Sequence, residues 1–314
     1  MSISPEKPAR LILHEVGPRD GLQMESQVVP LEKKEAWLRD LMDSGVDIIQ
    51  VGSFVHPIKV PQMADTDELF RRLTKDKKSP AILSGLALNE KGLERGLACG
   101  VEMFCLGASA SETHSMKNTG MDTEESTRRI IGAAKTALSA GKKVQVSVQS
   151  AFGCGFEGPI SEERVLNMVR AYLEAGLRNI SLADTAGHAH PAQVERLFRT
   201  VLRLDPAIEC ACHFHNTYGL GMANMFAAMR AGVTSFETSF AGLGGCPFTK
   251  VAAGNVATED FVHVFQLEDL RKDVNLDKLI TVARGVAGHF GRDMQGFVYK
   301  TGPIKARNAV KTQA

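Results

Sequence analysis

The sequence predicts a closed α/β barrel, (β/α)8, with additional C-terminal helices, on three observations. A short apolar or β-branched run recurs eight times, with starts spaced about 22 to 41 residues apart, as a strand–loop–helix–loop unit requires. Amphipathic stretches lie between these runs, and several stop at a glycine placed like a helix C-cap: Gly45, Gly100, Gly141, Gly176 and Gly232. The length, 314 residues, exceeds an average domain but suits one barrel of about 250 residues with short extensions. An open doubly wound sheet fits less well, because it rarely needs eight strands and leaves edges to protect.

In chain order, residues 1–10 are short, polar and proline-bearing, an N-terminal extension with neither the apolar core of a signal peptide nor the length of a transit peptide. The barrel domain is expected over 11–299. Its strands are Leu11–Val16, Asp47–Val51, Ala81–Leu86, Met103–Leu106, Val144–Val148, Asn179–Ala183, Glu209–His215 and Ser235–Phe240. Helical patterns occupy Leu31–Ser44, Glu124–Ala140, Glu162–Ala175, Gln193–Leu204 and Met222–Ala231, because apolar residues recur there at three- and four-residue intervals. Two further helices follow the eighth strand, about Val256–Gln266 and Leu276–Phe290. The basic tail, 300–314, is expected to be loose.

Composition excludes several function classes. Hydrophobic residues make up 44% and charged residues 23%, as in ordinary globular proteins. A formal net charge of +1 without long runs of one sign gives no footprint for nucleic acid or an anionic membrane. The longest apolar stretches fall far short of the roughly 20 residues a membrane span needs. The six cysteines form no disulfide framework, so a reducing, cytoplasmic setting is expected.

The chemistry gathers at strand ends, where barrel enzymes build their sites. Ala211-Cys212-His213-Phe214-His215-Asn216 ends the seventh strand; side chains alternate along a strand, so His213 and His215 share a face about 7 Å apart. Cys210 and Cys212 alternate with them and should pack against helices. The first strand runs into Glu15-Val16-Gly17-Pro18-Arg19-Asp20-Gly21-Leu22-Gln23, and the eighth into Gly242-Leu243-Gly244-Gly245-Cys246-Pro247 and then Gly254-Asn255. Asp20, His213, His215 and Asn255 are the expected metal ligands. Mixed oxygen and nitrogen donors suit Mg2+ or Mn2+, whereas zinc more often recruits a thiol.

An Arg-Asp pair in a turn is commonly a solvated ion pair. Here Gly17 and Gly21 flank it, and a fixed Arg19 guanidinium can stabilise an oxyanion. Cys246 lies in a glycine-rich loop with little apolar content to bury it, so it reads as a proton carrier on a lid rather than as packing. Arg19, Gln23, Gln50, Ser53, Asp184 and Thr185 are the rim residues expected to touch substrate. His188-Ala189-His190 repeats the His-x-His spelling after a glycine and before a proline, where alternation does not hold. His14, His56, His114, His263 and His289 stand without a constellation, and Met222, Met225 and Met229 follow helical spacing into the core.

These segments, with Ser53-Phe54-Val55 and Val60-Pro61-Gln62-Met63, together resemble the 3-hydroxy-3-methylglutaryl-CoA lyase family of metal-dependent TIM-barrel lyases. The resemblance runs from Glu15 to about Asp260 and includes His213 through Gly219 and Gly254-Asn255-Val256-Ala257-Thr258-Glu259-Asp260. It implies a homodimeric, divalent-metal retro-Claisen lyase that cleaves an acyl-CoA thioester to acetyl-CoA and a 3-oxo acid. The metal would rest on Asp20, His213, His215 and Asn255. Arg19 would steady the enolate of the departing acetyl-CoA, Cys246 would help protonate it, and His213 would add acid–base work.

The chain departs from the family at the end of the second strand, where Gln50 replaces a glutamate that tethers the arginine. The substitution keeps hydrogen bonding but removes a charge. Gly52-Ser53 with His56, and His188 with His190, also differ from the common spelling. These changes leave the acyl group open, so a different 3-hydroxy acyl-CoA is an alternative. A Claisen-condensing synthase of the same superfamily is another, although such chains usually continue beyond the barrel and lack the Gly-Gly-Cys-Pro segment. A scaffold that has lost activity is a third, against which the retained Asp20, His213, His215, Asn255, Arg19 and Cys246 argue.

Overall fold

The computed structural model describes residues 10–245 and 254–304. Eight parallel strands close on themselves in sequence order: β1 (Ile12–Glu15), β2 (Ile48–Ser53), β3 (Ile82–Leu86), β4 (Met103–Ser109), β5 (Lys143–Gln149), β6 (Asn179–Asp184), β7 (Glu209–Phe214) and β8 (Ser235–Thr238). The last strand pairs with the first, Ile12 opposite Ser235 and Glu15 opposite Thr238, so no edge is left open. All eight expected strands are present, with ends shifted by a few residues.

The helices are α1 (Leu31–Met42), α2 (Thr66–Thr74), α3 (Glu90–Cys99), α4 (Glu112–Thr119), α5 (Thr123–Ser139), α6 (Glu162–Glu174), α7 (Pro191–Leu202), α8 (Gly221–Ala231), α9 (Thr258–Leu267), α10 (Leu276–Phe290) and α11 (Val298–Thr301). Local chemistry starts and stops them. Asn89, Ser111, Asp122 and Asn275 accept the backbone N–H three residues on. The five expected C-terminal glycines all adopt left-handed φ, as Gly100 does at +94°. Lys300, placed at the start of a loose tail by the sequence reading, is instead inside α11, because Asp260 accepts the backbone N–H groups of Phe297 and Val298 and caps that turn.

Two cores result. The larger lies between barrel and helices, where the outward residues of the strands, such as Leu13, Ile49, Phe104, Val146, Leu182 and Phe236, are buried against the helical ring. A smaller apolar plug of Ile48, Met103 and Cys105, with Ile12, Ile82 and Leu86, fills the lower barrel. Cys210 and Cys212 face outward as alternation requires, with Cys212 Sγ 3.6 Å from Met225 Sδ on α8. At the bottom, Arg271 bonds Asp47 Oδ2 at 2.5 Å and the carbonyls of Leu11 and Gly45, tying the segment after α9 to β1 and α1. No helix among the described residues is long and apolar enough to cross a membrane.

Candidate active site

Asp20 reaches the barrel mouth through an unusual turn. After β1, residues Gly17–Gly21 wind one π-helical turn opened by Pro18, with Asp20 N–H donating to Val16 O at 2.7 Å. Gly17 and Gly21 are needed for close approach rather than for positive φ. A Cβ on Gly17 would sit 2.7 Å from Glu15 Oε1, and one on Gly21 would sit 2.8 Å from Leu243 Cβ.

The two strand-seven histidines share the inner face as alternation predicts, with ring centroids 5.0 Å apart. Asp20 Oδ2 lies 3.5 Å from His215 Nε2 and 3.9 Å from His213 Nε2. The donor atoms of all three side chains lie within 4.8 Å of one another. Asn255 arrives from the far end of the chain because the backbone of residue 255 bridges that of His215 beyond the end of β7. Its Nδ2 donates to Asp20 Oδ2 at 2.8 Å.

The atoms fit a cation. His215 Nδ1 and Nε2 and Asn255 Oδ1 are buried with no hydrogen-bond partner in good geometry among the described residues, although the Asp20 carboxylate lies near the imidazole. Buried polar atoms are rarely left so, each costing about 1–3 kcal/mol. Two imidazole nitrogens, a carboxylate and an amide oxygen form a donor set suited to a divalent cation. Gly244 keeps the place clear, since a Cβ there would lie 2.5 Å from Asn255 Nδ2.

Electrostatics sharpen the site. Burial alone would raise the Asp20 pKa, but the Arg19 guanidinium and His215 hold it well below the usual carboxylate range. Burial opposes charge on His213, yet a hydrogen bond to Glu237 and the Asp20 charge raise its pKa; burial lowers that of His215. Arg19 is held on two sides: Nε donates to Gln50 Oε1 and Nη1 to Asp20 Oδ1 at 2.5 Å. Gln50 therefore keeps the tether that the expected glutamate would provide, through a neutral acceptor.

Three polar groups stand outside the sequence expectation. Glu237 on β8 places Oε2 3.1 Å from His213 Nδ1, both side chains being buried. His14, read as isolated, is buried inside the barrel, with Nε2 3.0 Å from Ser84 Oγ and its pKa driven by burial to about 4. Glu15 takes N–H donors from Gly17 and Phe240 and the Thr258 hydroxyl, lacing the ends of β1 and β8 to α9; burial lifts its pKa to about 7. The signal for Glu237 was a carboxylate of inward parity on the strand next to His213.

The rim residues divide. Arg19, Gln23, Gln50 and Thr185 line a cavity of about 240 Å3 with Asp20, His213 and His215. Ser53 is buried behind it and reaches Gln23 at 3.3 Å. Asp184, expected to touch substrate, turns instead to the following loop and accepts the backbone N–H groups of His188 and Ala189, because a carboxylate at a strand end satisfies otherwise unpaired amides. His188 packs its ring 5.9 Å from Tyr218, and neither it nor His190 belongs to the donor group. Cys246 lies outside the described residues.

Residues 10–286 match the HMGL-like family. The chain is 36% identical over 287 residues to a hydroxymethylglutaryl-CoA lyase of Bacillus subtilis, covering 91% of this chain and 95% of that protein. It is 36% identical over 298 residues to (R)-citramalyl-CoA lyase of Chloroflexus aurantiacus, covering 92% and 94%. The structure of an HMG-CoA lyase from Acinetobacter baumannii in complex with coenzyme A and 3-methylmalate superposes with a TM-score of 0.88 at 36% identity, over 96% of this chain and 98% of that one.

Proposed function

The chain belongs to the HMGL-like family of carbon–carbon lyases, and from that premise we propose that it cleaves a 3-hydroxy-3-methylglutaryl-CoA-like thioester to acetyl-CoA and a 3-oxo acid. The observation that carries this reading is the convergence of Asp20, His213 and His215 beside the Arg19 guanidinium at one cavity, with Asn255 bonded to Asp20. We assign those four side chains to a divalent cation, Mg2+ or Mn2+. When bound there, it would supply Lewis acidity, lowering the pKa of the substrate's 3-hydroxyl and fixing its oxygens.

The chain's own residues do the rest. Glu237 holds the proton of His213 on Nδ1 and turns Nε2 toward Asp20; in its acid–base role His213 takes the hydroxyl proton on Nε2 with that nitrogen off the cation, and the Glu237 carboxylate stabilises the imidazolium so formed. Collapse of the alkoxide to a carbonyl breaks the carbon–carbon bond and leaves a thioester enolate. Arg19 spends one N–H on Gln50 and one on Asp20, which leaves three of its five donors for the enolate oxygen. Cys246 then returns a proton to the carbanion. Gln23, Gln50 and Thr185 bound the acyl group, and Ser53 supports Gln23. The free, buried cysteines Cys99, Cys105, Cys154, Cys210 and Cys212 support a reducing, cytoplasmic setting, and a homodimer is the assembly we expect by analogy with the family.

The test is incubation of the purified protein and Mg2+ with 3-hydroxy-3-methylglutaryl-CoA and with citramalyl-CoA, following acetyl-CoA together with acetoacetate or pyruvate. Metal-dependent release of acetyl-CoA from at least one is expected. Release from neither, nor from their 3-hydroxyethyl and 3-propyl analogues, with metal bound at the site, would overturn the reading.

A further inference from the structure

The barrel interior across from the cation donors is hollow; Leu86, Cys105 and Leu106 make part of its wall apolar, but the face built by β5 and β6 is polar. Barrels of this kind are usually filled by branched apolar side chains. Here the inward positions of β5 carry Gln145, Ser147 and Gln149, while the outward ones carry Val144, Val146 and Val148. The strand register sets Gly107 of β4 beside Ser147, and Ser147 beside Ser181 of β6. The smallest side chains thus form one row across three strands. The row is closely fitted: a Cβ on Gly107 would lie 2.1 Å from Ser147 Oγ.

Gln145, Ser147, Gln149 and Ser181 all face the cavity into which Asp20, His213 and His215 open. Their hydrogen bonding within the chain is poor. Among the described residues, Ser147 Oγ reaches only the Leu106 carbonyl, at 3.5 Å, and Gln145 Oε1 meets only the Cys105 thiol, at 3.8 Å. Ser181 Oγ is buried beside the Glu237 carboxylate and helps hold that carboxyl below its ordinary pKa. Among the described residues, none bonds the Gln149 carboxamide. Arg19 is the one arginine or lysine among the described residues lining the cavity, and it stands on the cation side. The far wall therefore offers hydroxyls and carboxamides but no charge for a second carboxylate.

We propose that this wall is the specificity pocket for the substituent on the substrate's 3-carbon, and that it takes an uncharged, hydrogen-bonding group larger than methyl, such as a hydroxyalkyl arm. The proposal rests on the thioester-cleaving reading above. The Ser147–Ser181 row makes the room, and the carboxamides of Gln145 and Gln149 supply the donors and acceptors that the chain leaves unused.

Three thioesters test it: 3-hydroxy-3-methylglutaryl-CoA, the analogue with hydroxyethyl in place of the 3-methyl, and the near-isosteric analogue with propyl. The kcat/KM for acetyl-CoA release should be highest for hydroxyethyl, by roughly 10- to 100-fold over propyl, since a site built to bond a hydroxyl strongly rejects the analogue lacking it. Ser147→Leu should lower the hydroxyethyl-to-methyl ratio by at least about tenfold, and Gln149→Leu should move preference toward propyl. Because wild-type enzyme alone decides between the substituents, a variant that fails to fold does not obstruct the test. Equal or better cleavage of the methyl or propyl compound overturns the pocket and leaves the lyase reading intact. No acetyl-CoA from any of these thioesters or from citramalyl-CoA removes both.

Discussion

Replacing Glu237 by Gln probes the site most directly. Glu237 Oε2 lies 3.1 Å from His213 Nδ1, and the hydrogen bond from His213, against the effect of burial, keeps this carboxyl below its ordinary pKa. The wild-type carboxylate is therefore an obligatory acceptor that fixes the tautomer and ring plane of His213. A carboxamide has the same shape, but it can present N–H or oxygen to Nδ1 and carries no charge to raise the basicity of Nε2. Removing such a partner behind a metal-binding histidine typically costs about 10- to 100-fold in metal affinity or activity. At about 1.4 kcal/mol per decade, that is roughly 1.4–2.7 kcal/mol. Titration with Mn2+ followed by electron paramagnetic resonance reads the affinity without turnover, and a thermal melt confirms that the fold survives. The double variant Glu237→Gln/His213→Ala should bind Mn2+ no worse than His213→Ala alone, because the carboxylate acts only through the ring. Mn2+ affinity within about twofold of wild type for Glu237→Gln, set against the tenfold minimum above, would refute the positioning role.

Three other predictions concern Gln50, Glu259 and Cys246, the last resting on the family resemblance alone. Gln50→Leu leaves the Arg19 Nε–H without its acceptor, about 1–3 kcal/mol, so kcat/KM should fall roughly 10- to 100-fold with Mn2+ affinity nearly unchanged; Gln50→Glu should restore a charged tether and change rate or acyl preference, and steady-state kinetics on the thioester panel reads both. Cys246→Ser should depress kcat while sparing metal affinity, as expected of a proton donor rather than a ligand, measured by acetyl-CoA release beside Mn2+ titration. Glu259 is fully buried and its carboxyl is pushed by burial from 4.5 to about 8. The folded chain thus holds a proton that the unfolded chain has lost, so stability falls as pH rises between about 4.5 and 8, by up to about 1.4 kcal/mol per pH unit. Glu259→Gln should flatten that decline in Tm across the same window, and a variant curve parallel to wild type would count against a buried protonated Glu259.

Much of this protein is written locally. Two-residue alternation is a property of any strand, so Cys210-Ala211-Cys212-His213-Phe214-His215 alone already puts both imidazoles on one face and both thiol-bearing positions on the other. Glycines after amphipathic stretches marked helix ends because few other residues accept left-handed φ. Asp20 and Asn255 could be proposed as partners only through the rule that barrel sites gather at strand ends, since 235 residues separate them. The stretches 66–74 and 112–119 fold as helices that local periodicity does not mark, being short and framed by neighbours that bury them, and of 90–99 only the terminal Gly100 is legible.

What the sequence by itself determined is therefore the eight-fold rhythm, the shared face of His213 and His215, and the set of residues carried to the mouth. Tertiary structure decided which of those residues meet, because register between strands is set by packing around the whole cylinder and leaves no trace in any single segment. It put Glu237 behind His213, turned Asp184 from the cavity to loop amides, brought His14 under the site, and aligned Gly107, Ser147 and Ser181 into one hollow wall. Each is a contact between neighbouring or facing strands, fixed when the barrel closes β8 onto β1.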